Sequence, residues 1–184
     1  IQALRLLGLG DGRVTLGPSL VGSVQIAAAD VEGRYAGEIA DITRLHVDGP
    51  DVKLDASGRL ALGRTATSDL KYHINAPDIT EVGRIAGQEG LEGAVDLDGT
   101  VTGNAASLQT SGTLSGNGLA YGTNKSLDLD GKYDVTVADL DFANARVQAT
   151  STAAFVELGG TEINQLTATT TYAQKRLEFE TRVQ

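Results

Sequence analysis

Few groups in this sequence have the chemistry to act on a substrate or hold a metal. They are two histidines, His46 and His73, and two aspartate pairs set before glycine, in Val95-Asp-Leu-Asp-Gly99 and Leu127-Asp-Leu-Asp-Gly131. Paired aspartates before glycine suggest calcium, whose EF-hand loop needs further oxygen ligands, Gly at its sixth position and Glu at its twelfth. Counted from Asp96, the fifth, sixth and twelfth positions hold Thr100, Val101 and Ser107; counted from Asp128 they hold Lys132, Tyr133 and Asp139. That spacing does not suit calcium, and the carboxylates read as exposed strand residues. Asp96 and Asp128 would serve as an acid/base pair only if their surroundings shifted a pKa, which a wet strand face does not do.

The remaining catalytic patterns fail in the same way. With no cysteine and no His-x-x-x-His pair, a zinc site would have to be assembled from distant parts of the chain. No serine lies in a Gly-x-Ser-x-Gly elbow. Gly8-Leu-Gly-Asp-Gly12 has neither dinucleotide-binding nor P-loop spacing. The expectation is a chain that is not an enzyme and carries no catalytic residue, metal or cofactor. A formal net charge of -9 without clustered Lys or Arg speaks against nucleic acid as partner, and equally against a polybasic membrane patch.

The elements that would position any site are strands. Apolar residues and glycines alternate with polar ones at period two, the pattern of a sheet with one covered and one wet face. The rows are Val52, Leu54, Leu60 and Leu62; Val95, Leu97 and Val101; and Leu127, Leu129, Val135 and Val137. Lys53, Asp55, Asp96, Asp98, Asp128 and Asp130 take the opposite face. These runs reach about 10 residues, against a usual five or six. Weaker strand patterns fill 21–26, 35–47, 70–75, 108–121, 142–158 and 163–172, with a last one over 177–183. The alternation slips near Ser151. Asp11-Gly, Asp48-Gly-Pro, Gly116-Asn-Gly and Gly159-Gly read as connectors.

About a dozen strands joined by short links imply an antiparallel meander, because parallel neighbours need long crossovers. One short helix is predicted at about 78–87. Asp78 is its N-cap, Glu81 closes a capping box, Ile79, Val82, Ile85 and Ala86 share a face, and Gly87 ends it. No apolar run approaches the roughly 18 residues needed to span a bilayer. The sequence lacks an initiator Met and starts and stops in strand-like text. It reads as an internal segment, 1–184, of one continuous sheet in a larger protein.

The order of three phrases carries a family resemblance. An alternating strand leads into the Pro77-Asp-Ile-Thr-Glu-Val-Gly-Arg-Ile-Ala-Gly87 helix. Leu91-Glu-Gly-Ala-Val-Asp-Leu-Asp-Gly-Thr-Val-Thr-Gly103 follows, and then Leu108-Gln-Thr-Ser-Gly-Thr-Leu-Ser-Gly-Asn-Gly-Leu119. This grammar resembles that of TamB-like and AsmA-like proteins, from about Val14 to the end, and leans toward the TamB branch. The resemblance implies an all-β fold, a long curved antiparallel sheet forming an open half-pipe (a β-taco) with an apolar inner surface. It also implies a periplasmic location within an inner-membrane-anchored protein of a diderm bacterium, phospholipid acyl chains as cargo, and a role in lipid transport or outer-membrane biogenesis. Through another part of the full-length protein it implies an outer-membrane barrel of the Omp85 type as partner.

The apolar rows suit that role. An acyl chain of about 16 carbons costs on the order of 12 kcal/mol to hold in water, at about 0.8 kcal/mol per CH₂, and rows of Val and Leu offset this without gripping a headgroup. On that reading Val52, Leu54, Leu60, Leu62, Val95, Leu97, Val101, Leu127, Leu129, Val135 and Val137 line the groove. Two alternatives share the alternation: a structural β-solenoid segment of a surface adhesin, and a β-sandwich binding module whose inner face is an ordinary core.

Overall fold

The structure, a computed structural model, describes residues 10–21, 24–85, 89–141, 144–173 and 176–183. Thirteen strands and one helix form among them. β1 (Gly10–Leu16), β2 (Ser19–Val21), β3 (Val24–Ile26), β4 (Ala28–Ala36), β5 (Ile39–Asp48), β6 (Lys53–Ala61) and β7 (Ser68–Ala76) precede α1 (Thr80–Ile85). The later strands are β8 (Leu91–Asn104), β9 (Ser107–Tyr121), β10 (Asn124–Ala138), β11 (Arg146–Leu158), β12 (Thr161–Ala173) and β13 (Arg176–Val183).

Eleven of these strands make one sheet in sequence order, from β1 through β4 to β13, every neighbour antiparallel. The hairpin β2–β3 stands apart as a small second sheet. The long sheet is open and curved, not closed into a barrel. Its strands neither split into two facing layers nor wind into repeated coils, so the fold is neither a sandwich nor a solenoid.

Register sorts the residues into two faces, because directly paired residues of a ladder share one. One row crosses the whole sheet as Leu16, Ala29, Val47, Leu54, Ile74, Leu97, Leu114, Gly131, Ser151, Ala168 and Thr181. The adjacent row on the other face reads Thr15, Asp30, His46, Asp55, His73, Asp98, Thr113, Lys132, Thr150, Thr169 and Glu180. A second polar row alternates in charge from strand to strand as Asp11, Arg34, Asp41, Arg59 and Asp69. Opposite charges placed across a ladder each add a few tenths of a kcal/mol, about 0.2–1, so these rows help to fix the register.

One rim of the sheet is sewn together by turns far apart in sequence. Leu62 N–H donates to the Glu38 carbonyl at 2.8 Å, Ala105 N–H to Gly63 at 3.1 Å and Asp139 N–H to Ala106 at 3.1 Å. Beside them the Ala61 N–H donates to Ser68 Oγ at 2.9 Å, and both residues are buried. The Arg64 guanidinium closes on the Asp139 carboxylate. Helix α1 lies toward the opposite rim, where the Ile79 N–H donates to the Gly93 carbonyl on β8 at 2.9 Å and Ile79 is buried.

Several local expectations are corrected. The pattern over 35–47 is two strands: the chain turns at Gly37 and Glu38, both at positive φ (56° and 64°). Asp11-Gly12 lies inside β1, and Gly116-Asn-Gly118 lies inside β9. The helix is Thr80–Ile85, shorter than the predicted span. Asp78 Oδ1 accepts the Thr80 N–H at 2.9 Å, while Glu81 pairs with Arg84 instead of closing a capping box. Ala86, Gly87 and the glycine run before Gly10 lie outside the described residues. The ladder is regular through Ser151, which pairs with Gly131 and Ala168. The slip comes later, at Phe155, held at φ 50°.

Candidate functional site

The apolar face of the long sheet is the surface on which a function can be built. It is half-buried rather than sealed. Among the described residues the buried apolar side chains are small or at the rims, such as Ala29, Ala56, Ala76, Ala153 and Val137, and no large side chain is fully buried. A two-layer core would bury these rows completely. Here they face open space.

The register brings together most of the residues expected to line a groove. Leu54 pairs with Val47 and Ile74, and Leu97 with Ile74 and Leu114. Val95 pairs with Ala76 and Gly116, and Leu129 with Gly116 and Ala153. Val101 and Val135 meet through Thr110 between them, and Val137 pairs with Leu108. Leu60 pairs with Ala40 on the same side. Val52 and Leu62 flank β6 without being in it.

Leu127 is not in the row. The β9–β10 and β10–β11 ladders step from Leu129–Gly116 and Asp128–Asn117 directly to Ser126–Leu119 and Ser126–Val156. Gly118, Leu127, Phe155 and Asn164 are skipped as one aligned row across four strands, with the register unchanged on either side. The row begins at a bulge between β8 and β9, where Gly93 stands against Gly118 and Leu119. Beyond it the two faces exchange parity. Leu119 now shares the side of Gly116, where a Cβ would stand 2.7 Å from Leu119 Cδ1. Val156 is buried, while Leu127 and Phe155 are 51% and 66% exposed.

A polar tie crosses the middle of this apolar face. Tyr72 on β7 and Tyr133 on β10 lean toward each other over Gly99 on β8 and Gly112 on β9. Their hydroxyls meet at 2.5 Å, Tyr72 also reaches Thr110 Oγ1 at 2.6 Å, and Tyr133 donates to the Asp98 carbonyl at 3.3 Å. The strands that carry them are about 14 Å apart at ordinary strand spacing, so the meeting requires the sheet to curl toward this side. A Cβ on Gly99 would stand 2.4 Å from Tyr133 Oη and 2.5 Å from Tyr72 Cζ; only glycine leaves room. Burial, followed by the hydrogen bond to Tyr72, raises the Tyr133 phenol well above its ordinary range. Every hydroxyl in the tie has a protein partner, so it adds no unsatisfied polar group to the floor.

The polar face holds the histidines and paired aspartates, and sets each histidine against an aspartate of the next strand. His46 Nδ1 lies 2.7 Å from Asp55, and His73 Nδ1 lies 3.0 Å from Asp98. Asp96 accepts from Asn75 at 2.8 Å and Asp128 from Asn117 at 3.1 Å. Asp96 and Asp128 therefore each answer to a different amide and do not form a pair. Among the described residues no group of three or more His, Asp or Glu side chains could hold a metal ion. Arg13 grips Asp30 through Nη2 at 2.5 Å and Nε at 3.2 Å. That hydrogen bond holds the Asp30 carboxyl below its usual range.

Sequence reasoning missed the tie and the skipped row. Tyr72 and Tyr133 each sit in an alternating run, but nothing local says that they meet 61 residues apart. Gly118 at φ 60° was the available signal for the bulge. Compared with protein-family models, with curated proteins and with solved structures, the chain shows no significant match.

Proposed function

We propose that this chain is a segment of a bridge-like lipid conduit of the TamB/AsmA-like kind, whose apolar groove shields acyl chains as phospholipid moves between the inner and outer membranes of a diderm bacterium. The observation that supports this is one face of the eleven-stranded sheet that carries most of the Leu, Ile, Val and Ala rows and has no large side chain fully buried among the described residues. At about 4.8 Å per strand the groove extends about 48 Å, longer than one extended acyl chain. Aliphatic side chains take up the chain without choosing a headgroup, and the headgroup stays in water at the open side. The rows of Asp, Thr and Lys on the reverse face keep the outer wall wet.

On this reading the groove lining is Leu54, Leu60, Val95, Leu97, Val101, Leu129, Val135 and Val137, with Val52 and Leu62 at its margins. The protein works in the periplasm, and an outer-membrane barrel of the Omp85 type engages another part of the full-length chain. No step of covalent chemistry is required.

Lipid loading tests the reading. The purified chain is incubated with detergent-dispersed phospholipid, freed of detergent and weighed by native mass spectrometry. Bound phospholipid is expected on the wild type and its loss on Leu97→Asp, with the strand signal in circular dichroism kept. A chain that folds and takes up no phospholipid contradicts the proposal.

A further inference from the structure

The sequence holds one Asn-Gly pair, Asn117-Gly118. Its composition suits a turn, yet it lies within β9, with β8 on one side and β10 on the other. In a regular strand such a pair is chemically quiet, because an extended backbone held in its ladder keeps the glycine nitrogen from the asparagine side chain. Here the two residues are held differently. Asn117 pairs with Ala94 and Asp128, whereas both ladders skip Gly118, which turns to φ 60°. Both residues are exposed, and a Cβ on Gly118 would meet nothing within 4 Å. Asn117 Nδ2 donates to Asp128 Oδ1 at 3.1 Å. Two related pairs, Asp98-Gly99 and Asp130-Gly131, stay in the ladder: Gly99 pairs with Tyr72 and Gly112, and Gly131 with Leu114 and Ser151.

We propose that Asn117-Gly118 is a self-modification site, at which the folded sheet turns an amide into a carboxylate with water as the only co-reactant. The Gly118 backbone nitrogen attacks Asn117 Cγ. A new N–C bond closes a five-membered imide, the Cγ–Nδ2 bond breaks, and ammonia leaves with the proton that the Gly118 nitrogen gives up. Water then opens the imide at one carbonyl to give aspartate, or at the other to give isoaspartate, whose backbone runs through Cβ and Cγ. The position makes the product matter. Asn117 donates to Asp128, and an aspartate in its place cannot; it sets two like charges directly opposite in the β9–β10 ladder, which is destabilising. Isoaspartate instead lengthens β9 by one backbone carbon beside the row where the faces exchange. Either product loosens the sheet there, in one direction only.

This proposal does not depend on what the apolar face binds, and its assay contains no lipid. The purified folded chain is held in mildly alkaline buffer, sampled over time, digested and sequenced by mass spectrometry. Asn117 is expected to become a mixture of aspartate and isoaspartate, at a rate within about tenfold of that in the urea-unfolded chain. Asn104 and Asn124 are expected to stay intact, and no isoaspartate to appear at Asp98 or Asp130. A greater slowing of Asn117 by the fold means that the ladder protects it, and overturns the proposal. Asn117→Asp, made directly, is expected to lower the urea midpoint, and Asp128→Asn to restore it in the double variant. An Asn117→Asp chain as stable as the wild type would overturn the coupling between this site and the sheet.

Discussion

The Tyr72 and Tyr133 hydroxyls meet at 2.5 Å across two intervening strands, above the paired glycines Gly99 and Gly112. This contact couples three features that sequence treats as separate: two tyrosines in different strands, a glycine row and the curl of the sheet. It gives the first prediction. Tyr133→Phe removes one hydroxyl from the network and is expected to cost about 1 kcal/mol in urea unfolding. Gly99→Ala forces a methyl group against both rings and also destabilises. The two effects should not add, because Tyr133→Phe removes the hydroxyl that the alanine methyl would meet first, at 2.4 Å. Additive costs in that double-mutant cycle would show that the rings do not rest over Gly99.

Alkali should weaken the fold through the same group. Burial, then the Tyr72 hydrogen bond, raises the Tyr133 phenol, so the folded state disfavours the ionised form. The stability this contributes is fully present below the ordinary value of 10.0 and is lost as pH rises through the higher folded value. Denaturation midpoints are expected to fall above pH 10.0 in the wild type and more shallowly in Tyr133→Phe. Equal slopes in the two proteins would contradict this.

Acid acts on the other face. Arg13 lowers the Asp30 carboxyl, chiefly through its hydrogen bond, and the Thr80 side chain and N–H lower Asp78. Both contributions are present above the ordinary value of 3.8 and disappear as pH falls through the lower folded values. Asp30→Asn should therefore flatten the loss of stability below pH 3.8. An acid limb unchanged by Asp30→Asn and by Asp78→Asn would place the acid sensitivity elsewhere.

The skipped row makes a prediction of opposite sign. Phe155 is held at φ 50° and is 66% exposed, a left-handed conformation that costs a non-glycine residue about 1 kcal/mol. Phe155→Gly gives up little packing and relieves that strain, although the freer unfolded chain offsets part of the gain. The variant is expected to be slightly more stable, by under about 1 kcal/mol, in thermal melts. A clear loss of stability would mean that the Phe155 ring packs in solution.

How much was legible follows from the range of each signal. Alternation over Leu91–Asn104 and Asn124–Ala138 reports which side of a strand is apolar, and that needs only neighbours two residues apart. The all-β fold and most of the lining residues come from it. Leu127 escaped because the faces exchange at the skipped row while the sequence alternation runs on, and only the ladder partners reveal it. The Gly37–Glu38 turn escaped because Glu38 adopts positive φ without being a residue that favours it. Gly116-Asn-Gly118 has turn composition, but the long β8 and β10 on either side hold it inside the ladder. The Tyr72–Tyr133 tie depends on curvature, which is a property of the whole sheet.

On the proposed function one face of the sheet meets lipid and the other does not, a difference that site-specific photo-crosslinking reads residue by residue. A photoreactive side chain is placed at Leu97, Leu129 or Val135 on the apolar face, or at Asp96, Asp128 or Asp130 on the reverse, and the protein is irradiated with phospholipid present. Phospholipid adducts are expected at the first three positions and none at the other three. Equal labelling on both faces, or none on either, would contradict it.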